Sequence, residues 1–496
     1  MSANDSPSSF ALADALRRTS RSVVAAQIAS QVVSLGVLCV LYRQLGLHPY
    51  GLVGMVMPLL ALVRIVVASG LDVVIVQQAE MSDQQVSALF WVSQALGWAM
   101  ALVTAGCAPL VARFYGVPEL TSVTLALAGT SVLFVLGFQH QALLQRRLRL
   151  ATLAWSRLAA LGLGGAAAIG LALAGLGVWA LVAQQYVELV LLAGLAWWAE
   201  PWRPRRMLRG AGSRRLVGFG RHYLTSSLMA YLVTNVDKIL VGRLLGEAAL
   251  ALYSQAFSLV MKPVHVLSTP LTGVMLPALS RAAANHRHYT ALVLGFFRFI
   301  FLAMLPAGVG LALVAPEAML VLGGPQWEKA GPILAVLALL VPLQTAHNAL
   351  GSVLASAGQS KRLALASVAG AMVLGACFSL GLWLGSLAGS PLLGIALGYT
   401  LGMLLVVFPA YLAFALRSVR VPLWAWLAQL HPAAPATAAM ALTVVATRWL
   451  ACSLWDLGQR PLALLAAEML IGVATYAVFS RRAIGWFLRE GLRDLG

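Results

Sequence analysis

The run TNVDKILVGRLLG, residues 234–246, sets an acid and a base side by side, Asp237 and Lys238, inside an apolar stretch. An ammonium in such surroundings can hold a phosphate or a carboxylate. At ~4 Å and an effective dielectric of ~20 the attraction is about 4 kcal/mol. Three further cations stand in apolar runs: Arg64, Lys262 and Arg298. Each charge near a bilayer centre costs about 2.5–3.5 kcal/mol on insertion scales, so a spanning segment keeps one for a partner, a structural task or a ligand.

Helical spacing sorts the polar residues into faces. Ser227, Tyr231, Asn235, Lys238 and Gly242 follow one another at intervals of three or four and form one stripe, with Thr234 and Asp237 on the adjoining face. Gln27, Gln31 and Ser34 repeat the pattern near the N-terminus. A polar stripe on a spanning helix faces protein or water rather than lipid. Two readings stand: the lining of a central aqueous cavity, favoured because the stripe recurs, and helix–helix hydrogen bonding. Sequence neighbours on a helix lie about 100° apart, so Asp237 and Lys238 are expected not to neutralise each other. Asp237 would pair with a cation on another helix, Lys262 or Arg64. A purely structural buried ion network is the alternative. Arg298 lies about two turns from the inner end of its span, within snorkelling reach of the headgroups. Cavity and snorkelling readings are equal for Arg64. Glu188 and Glu468 are lone acids in apolar spans with no assignment.

Other chemistries lack their residues. There is no GxxxxGK[ST] phosphate loop, no HExxH, no CxxC and no DFG-like set. The 8 His are scattered, and the four cysteines, Cys39, Cys107, Cys377 and Cys452, show no paired spacing. The first outer loop, YRQLGLHPYGL, has no carboxylate to handle a sugar-phosphate donor. The expectation is a protein that is not an enzyme, with no catalytic residue, no metal and no cofactor.

The elements that must position these residues are membrane helices. The chain is 60% hydrophobic and 10% charged, where soluble proteins are roughly a quarter charged. Continuous apolar runs near the ~20 residues of a spanning helix exclude the alternating ~10-residue strands of a membrane barrel. Fourteen runs are expected to span: 23–43, 51–69, 86–108, 120–140, 150–174, 178–199, 222–245, 250–276, 290–314, 330–355, 363–385, 391–416, 434–451 and 461–480. The polar start reads as a short tail before the first anchor, with no cleavable signal.

Charge orients the spans. With the N-terminus cytoplasmic, only six of the 34 Lys and Arg fall on the far side: Arg43, Arg113, Arg243, Lys329, Arg448 and Arg460. Four lie inside spans and the rest face the cytoplasm, the positive-inside bias. The net charge of +18 is therefore topological and is not a nucleic-acid surface. Both termini are expected on the cytoplasmic side.

The longest basic connector, PWRPRRMLRGAGSRRLVGFGR, follows six spans. A spanning run on each side of it ends in Arg-x-Leu-Gly, Arg43–Gly46 and Arg243–Gly246, and leads into an apolar run with one base, Arg64 or Lys262. Two parallel six-helix repeats follow. The expected domains are an N-terminal lobe with its connector over 1–221, a C-terminal lobe over 222–416, and two added helices with a basic tail over 417–496.

With these residues in hand, the chain resembles the polysaccharide and lipid-linked oligosaccharide flippases of the multidrug/oligosaccharidyl-lipid/polysaccharide (MOP) superfamily. The resemblance rests on NVDKILVGRLLGEAALALYSQAFSLVMKPV: Asn235, Asp237, Lys238, Gly242, Leu245, Gly246, Tyr253 and Pro263, with Arg43, Leu45, Gly46 and Gly51 as the first-lobe echo. It implies an all-α, MATE-like fold of two six-helix lobes that open alternately to each side. It implies a bacterial inner-membrane protein that moves undecaprenyl-pyrophosphate-linked oligosaccharide units for capsule, exopolysaccharide or O-antigen, with a polymerase or export complex as partner. Arg64, Lys238, Lys262 and Arg298 would hold the pyrophosphate, and Asp237, Asn235, Tyr231, Gln27 and Gln31 would line the site. The two added helices would form a groove for the lipid tail. The rival is a drug or metabolite antiporter of the same superfamily, which would couple a cation through acids such as Asp72 or Glu188.

Overall fold

The computed structural model describes residues 9–68, 82–205, 213–454 and 460–486, and among them every regular element is helical. The chain divides into two compact units, Met1–Leu232 and Val233–Gly496. Asp72, Ser227, Thr234 and Cys452 lie outside the residues whose side chains are described.

In the first unit, α1 (Ser9–Leu45) packs along α6 (Leu150–Leu173), and α6 packs on α7 (Val178–Ala199). The helices α2 (Leu47–Ala68), α3 (Asp83–Tyr115), α4 (Leu120–Ala128) and α5 (Thr130–Arg146) complete it. Local chemistry sets the ends of α3. Ser82 accepts from the Gln85 amide while the Gln85 side chain returns to the Ser82 amide, and Gly116 closes the helix in the left-handed conformation.

The helix α8 (Ser213–Ala282) runs for 70 residues across the division. Straight, it would measure about 105 Å, over three times the ~30 Å hydrocarbon core. It is broken at Gly246, with φ 86° and ψ −179°, a conformation that costs little only without a Cβ. Gly46, the same position of the Arg-x-Leu-Gly repeat, also has positive φ, 73°, and separates α1 from α2. The repeated motif is a helix–break–helix joint in both units.

Beyond α8 the second unit continues with α9 (His286–Leu313), α10 (Ala315–Gly323), α11 (Ala330–Ala338), α12 (Leu340–Ser356), α13 (Ser360–Leu387), α14 (Pro391–Gly402), α15 (Phe408–Ser418), α16 (Leu423–Leu427), α17 (Ala434–Leu454) and α18 (Pro461–Trp486). Between α13 and α14 the backbones nearly touch. A Cβ on Gly381 would collide with the Gly394 carbonyl oxygen, the close approach that small residues permit between membrane helices. The last two helices pack on each other and on α9 and α10.

Twelve helices among the described residues are long and apolar enough to cross a membrane, or thirteen when the pair Ala330–Ala338 and Leu340–Ser356, bent by 41°, is one span. The chain is thus a multi-pass membrane protein. The exact count of fourteen is not confirmed. The seventh and eighth expected spans both fall in α8, which that count takes as one although it breaks at Gly246.

Candidate functional site

The break at Gly246 creates the polar site of the second unit. Asp237 and Tyr253 are 16 residues apart, which along a straight helix is about 24 Å. Folding back at Gly246 lets the Tyr253 hydroxyl donate to Asp237 Oδ2 at 3.1 Å. Tyr253 is fully buried, stacked on Phe257 at 6.1 Å, and Phe257 meets Tyr399 of α14 edge-on at 6.0 Å.

Lys238 enters this aromatic pocket. Its Nζ lies 4.8 Å from the Phe257 ring centroid and donates to Asn235 Oδ1 at 3.4 Å. It also stands 3.7 Å from Asp237 Oδ1. The expectation that adjacent residues on a helix cannot pair is therefore corrected. The two Cα–Cβ bonds diverge, but the flexible four-carbon lysine stem curls back to the carboxylate. At this separation the gross attraction is about 4 kcal/mol for an effective dielectric of ~20. Both side chains keep some contact with solvent, Lys238 21% and Asp237 10%.

In the first unit, Arg64 on α2 donates to Gln185 Oε1 on α7 at 3.2 Å and lies over the Phe134 ring at 5.7 Å. The Glu188 carboxylate acts on it electrostatically and accepts from Gln184 at 2.9 Å. Glu188 thus gains an assignment as the acid opposite Arg64. Gly164 on α6 makes room for it, since a Cβ there would collide with Glu188 Cγ.

The other expected residues are distributed differently. Tyr231 is buried in the first unit, with its hydroxyl donating to the Pro58 carbonyl of α2. On α1, Gln27 is exposed while Gln31 and Ser34 are half-buried. Lys262 on α8 and Arg298 on α9 are half-buried.

One cluster was not anticipated. Arg448 on α17 pairs with Glu468 on α18, Nε to Oε1 at 2.8 Å, and with Glu317 on α10, Nη2 to Oε2 at 2.6 Å. It also donates to the Leu313 carbonyl at the end of α9 at 2.6 Å. Glu468 is fully buried. The only signal in the sequence was a lone acid in an apolar span, since Glu317 and Arg448 are 131 residues apart.

A family model described as "Polysaccharide biosynthesis protein" matches residues 40–332. The chain is 28% identical over 306 residues to the teichuronic acid biosynthesis protein TuaB of Bacillus subtilis, covering 60% of this chain and 62% of that one. It is 27% identical over 302 residues to the succinoglycan biosynthesis transport protein ExoT of Rhizobium meliloti, covering 60% of this chain and 61% of that one. These alignments span about three fifths of each relative. Among solved structures, the lipid II flippase MurJ in an inward closed conformation superposes with TM-score 0.73 at 13% identity, over 94% of this chain and 99% of that chain. An inward-facing MATE transporter of the MOP superfamily gives TM-score 0.62 at 15% identity, over 80% and 98%. The fold is the MATE-like one expected from the sequence.

Proposed function

This chain belongs to the polysaccharide biosynthesis protein family, and on that premise we propose that it is a flippase for undecaprenyl-pyrophosphate-linked oligosaccharide units, working by alternating access in the bacterial inner membrane. The observation that carries the reading is Lys238: a membrane-span cation with residual solvent contact, set beside an amide and an aromatic face. A pyrophosphate suits such a site, because charge-assisted hydrogen bonds are strong where water is scarce. Arg64 supplies a second cation in a span of the first unit. Lys262 and Arg298 are further phosphate contacts in this reading. Asn235 serves as polar lining beside Lys238. The relatives' names, teichuronic acid and succinoglycan, support a polymer precursor as cargo, and a polymerase or export complex is the partner that would receive it. No step of the cycle calls for a catalytic residue.

The test is flipping of a defined lipid-linked oligosaccharide in liposomes containing the purified chain. Protein-dependent loss of the headgroup from the starting leaflet is expected. No flipping, with preserved fold and insertion, would overturn the proposal.

A drug or metabolite antiporter is the second reading, favoured by the likeness to MATE transporters. It needs an acid free to take a cation. Of the two acids named for it, Asp72 lies outside the described residues, and Glu188 is engaged by Gln184 and feels the charge of Arg64.

A further inference from the structure

We infer that Asp237 is a built-in counter-anion that occupies Lys238 until a phosphate group displaces it, and so sets how tightly the anionic cargo is held. The inference rests on the flippase reading above and gives one residue of that site a role opposite to cargo binding.

Three observations carry it. First, the pairing is loose. Lys238 Nζ to Asp237 Oδ1 is 3.7 Å, and Oδ1 accepts no hydrogen bond. Hydrogen bonds from an ammonium to an anion form at about 2.7–2.9 Å. A phosphate oxygen at that distance would outcompete the carboxylate for the same ammonium. Second, the carboxylate is braced from its far side. Tyr253, fully buried and stacked on Phe257, donates to Oδ2 at 3.1 Å and anchors Asp237 when Lys238 turns away. Third, Lys238 is 21% exposed, so an incoming headgroup has access to it.

The consequences follow from charge. Before cargo arrives, Asp237 offsets the cost of an ammonium in a membrane span. Once a phosphate sits on Lys238, the displaced carboxylate repels it, which weakens binding and assists release. A carrier that held a pyrophosphate without such opposition would bind well and turn over slowly, since equal gains in bound and transition states add nothing to the rate.

The experiment measures binding of a soluble polyprenyl pyrophosphate, farnesyl pyrophosphate, to the full chain in detergent, and flipping in liposomes. Asp237→Asn is expected to tighten binding about tenfold and to lower the maximal flipping rate. Tyr253→Phe leaves Asp237 undivided in its hold on Lys238, and is expected to weaken binding a few-fold. A purely structural acid would make Asp237→Asn and Tyr253→Phe move binding in the same direction. Unchanged or weaker binding by Asp237→Asn overturns the inference. Should that variant not fold, unchanged or tighter binding by Tyr253→Phe overturns it. Lys238→Ala separates the two ideas: if it binds as well as the parent, the phosphate reading of the site fails, whereas loss of binding there with an unaltered affinity in Asp237→Asn defeats the counter-anion alone.

Discussion

Arg448 and Glu468, 20 residues apart on the last two described helices, meet in a two-pronged ion pair, Nε to Oε1 at 2.8 Å and Nη2 to Oε2 at 3.3 Å. Glu317 takes the same guanidinium. The three residues tie α17 and α18 to α10. Removing one partner strands a buried charge, at a typical cost of about 3 kcal/mol or more. Arg448→Ala should therefore lower thermal stability in detergent by about 3 kcal/mol, the low end of that range because Arg448 stays 34% exposed. Glu468→Ala should cost less in an Arg448→Met background than alone. Additive losses would argue against the pair.

Gly246 has φ 86° and open space where a Cβ would go, so conformation alone resists substitution. Gly246→Ala should cost about 1–3 kcal/mol, because ψ −179° at this φ is a region essentially reserved for glycine. Gly246→Asn should cost as much, since asparagine tolerates the left-handed helical region but not this extended positive-φ one. Both are read from thermal unfolding. Gly46→Ala should also be destabilising, at φ 73°.

Gly164→Ala should push a methyl into Glu188 Cγ, a collision that the neighbours must relax to relieve. Overpacking of this kind costs about 1–3 kcal/mol. Glu188→Ala in the same chain should recover most of the loss. Failure of that rescue would mean that the defect lies elsewhere along α6.

Lys238→Ala and Lys262→Ala should each lower polysaccharide export in cells while the protein stays in the membrane, and Lys238→Arg should retain more export than Lys238→Ala. The measurement is polymer yield normalised to membrane-inserted protein. Normal export from the double alanine variant would remove these cations from the mechanism.

Reporter fusions should place residues 200–216 in the cytoplasm and 317–329 on the outer side, as the distribution of basic residues requires. The inverse pattern would reverse the orientation of every span.

Much was legible along the chain. Continuous apolar runs bounded by polar breaks identify the helices, because a span must satisfy its backbone internally and can do so only within its own residues. The Arg-x-Leu-Gly echo marked both joints, Gly46 and Gly246, since glycine is the local answer to a positive φ. The motif around Asn235, Asp237 and Lys238 pointed to the site because charge in an apolar run is expensive wherever it occurs. All of these are properties of short segments.

Partners were another matter. Tertiary structure alone decided that Lys238 curls back to Asp237, that Tyr253 braces the carboxylate from across the Gly246 break, and that Phe257 faces the ammonium. It alone paired Arg64 with Gln185, and Arg448 with Glu468 and Glu317. Helical periodicity gives a side chain's direction from its axis, but not the bend of the backbone, the rotamer of a long side chain or the identity of the helix packed opposite. A charge in a span is announced by the sequence around it, while what meets it is set by the rotamer, as for Lys238 and its neighbour Asp237, or by contacts between residues far apart along the chain, as for Arg448 and Glu317.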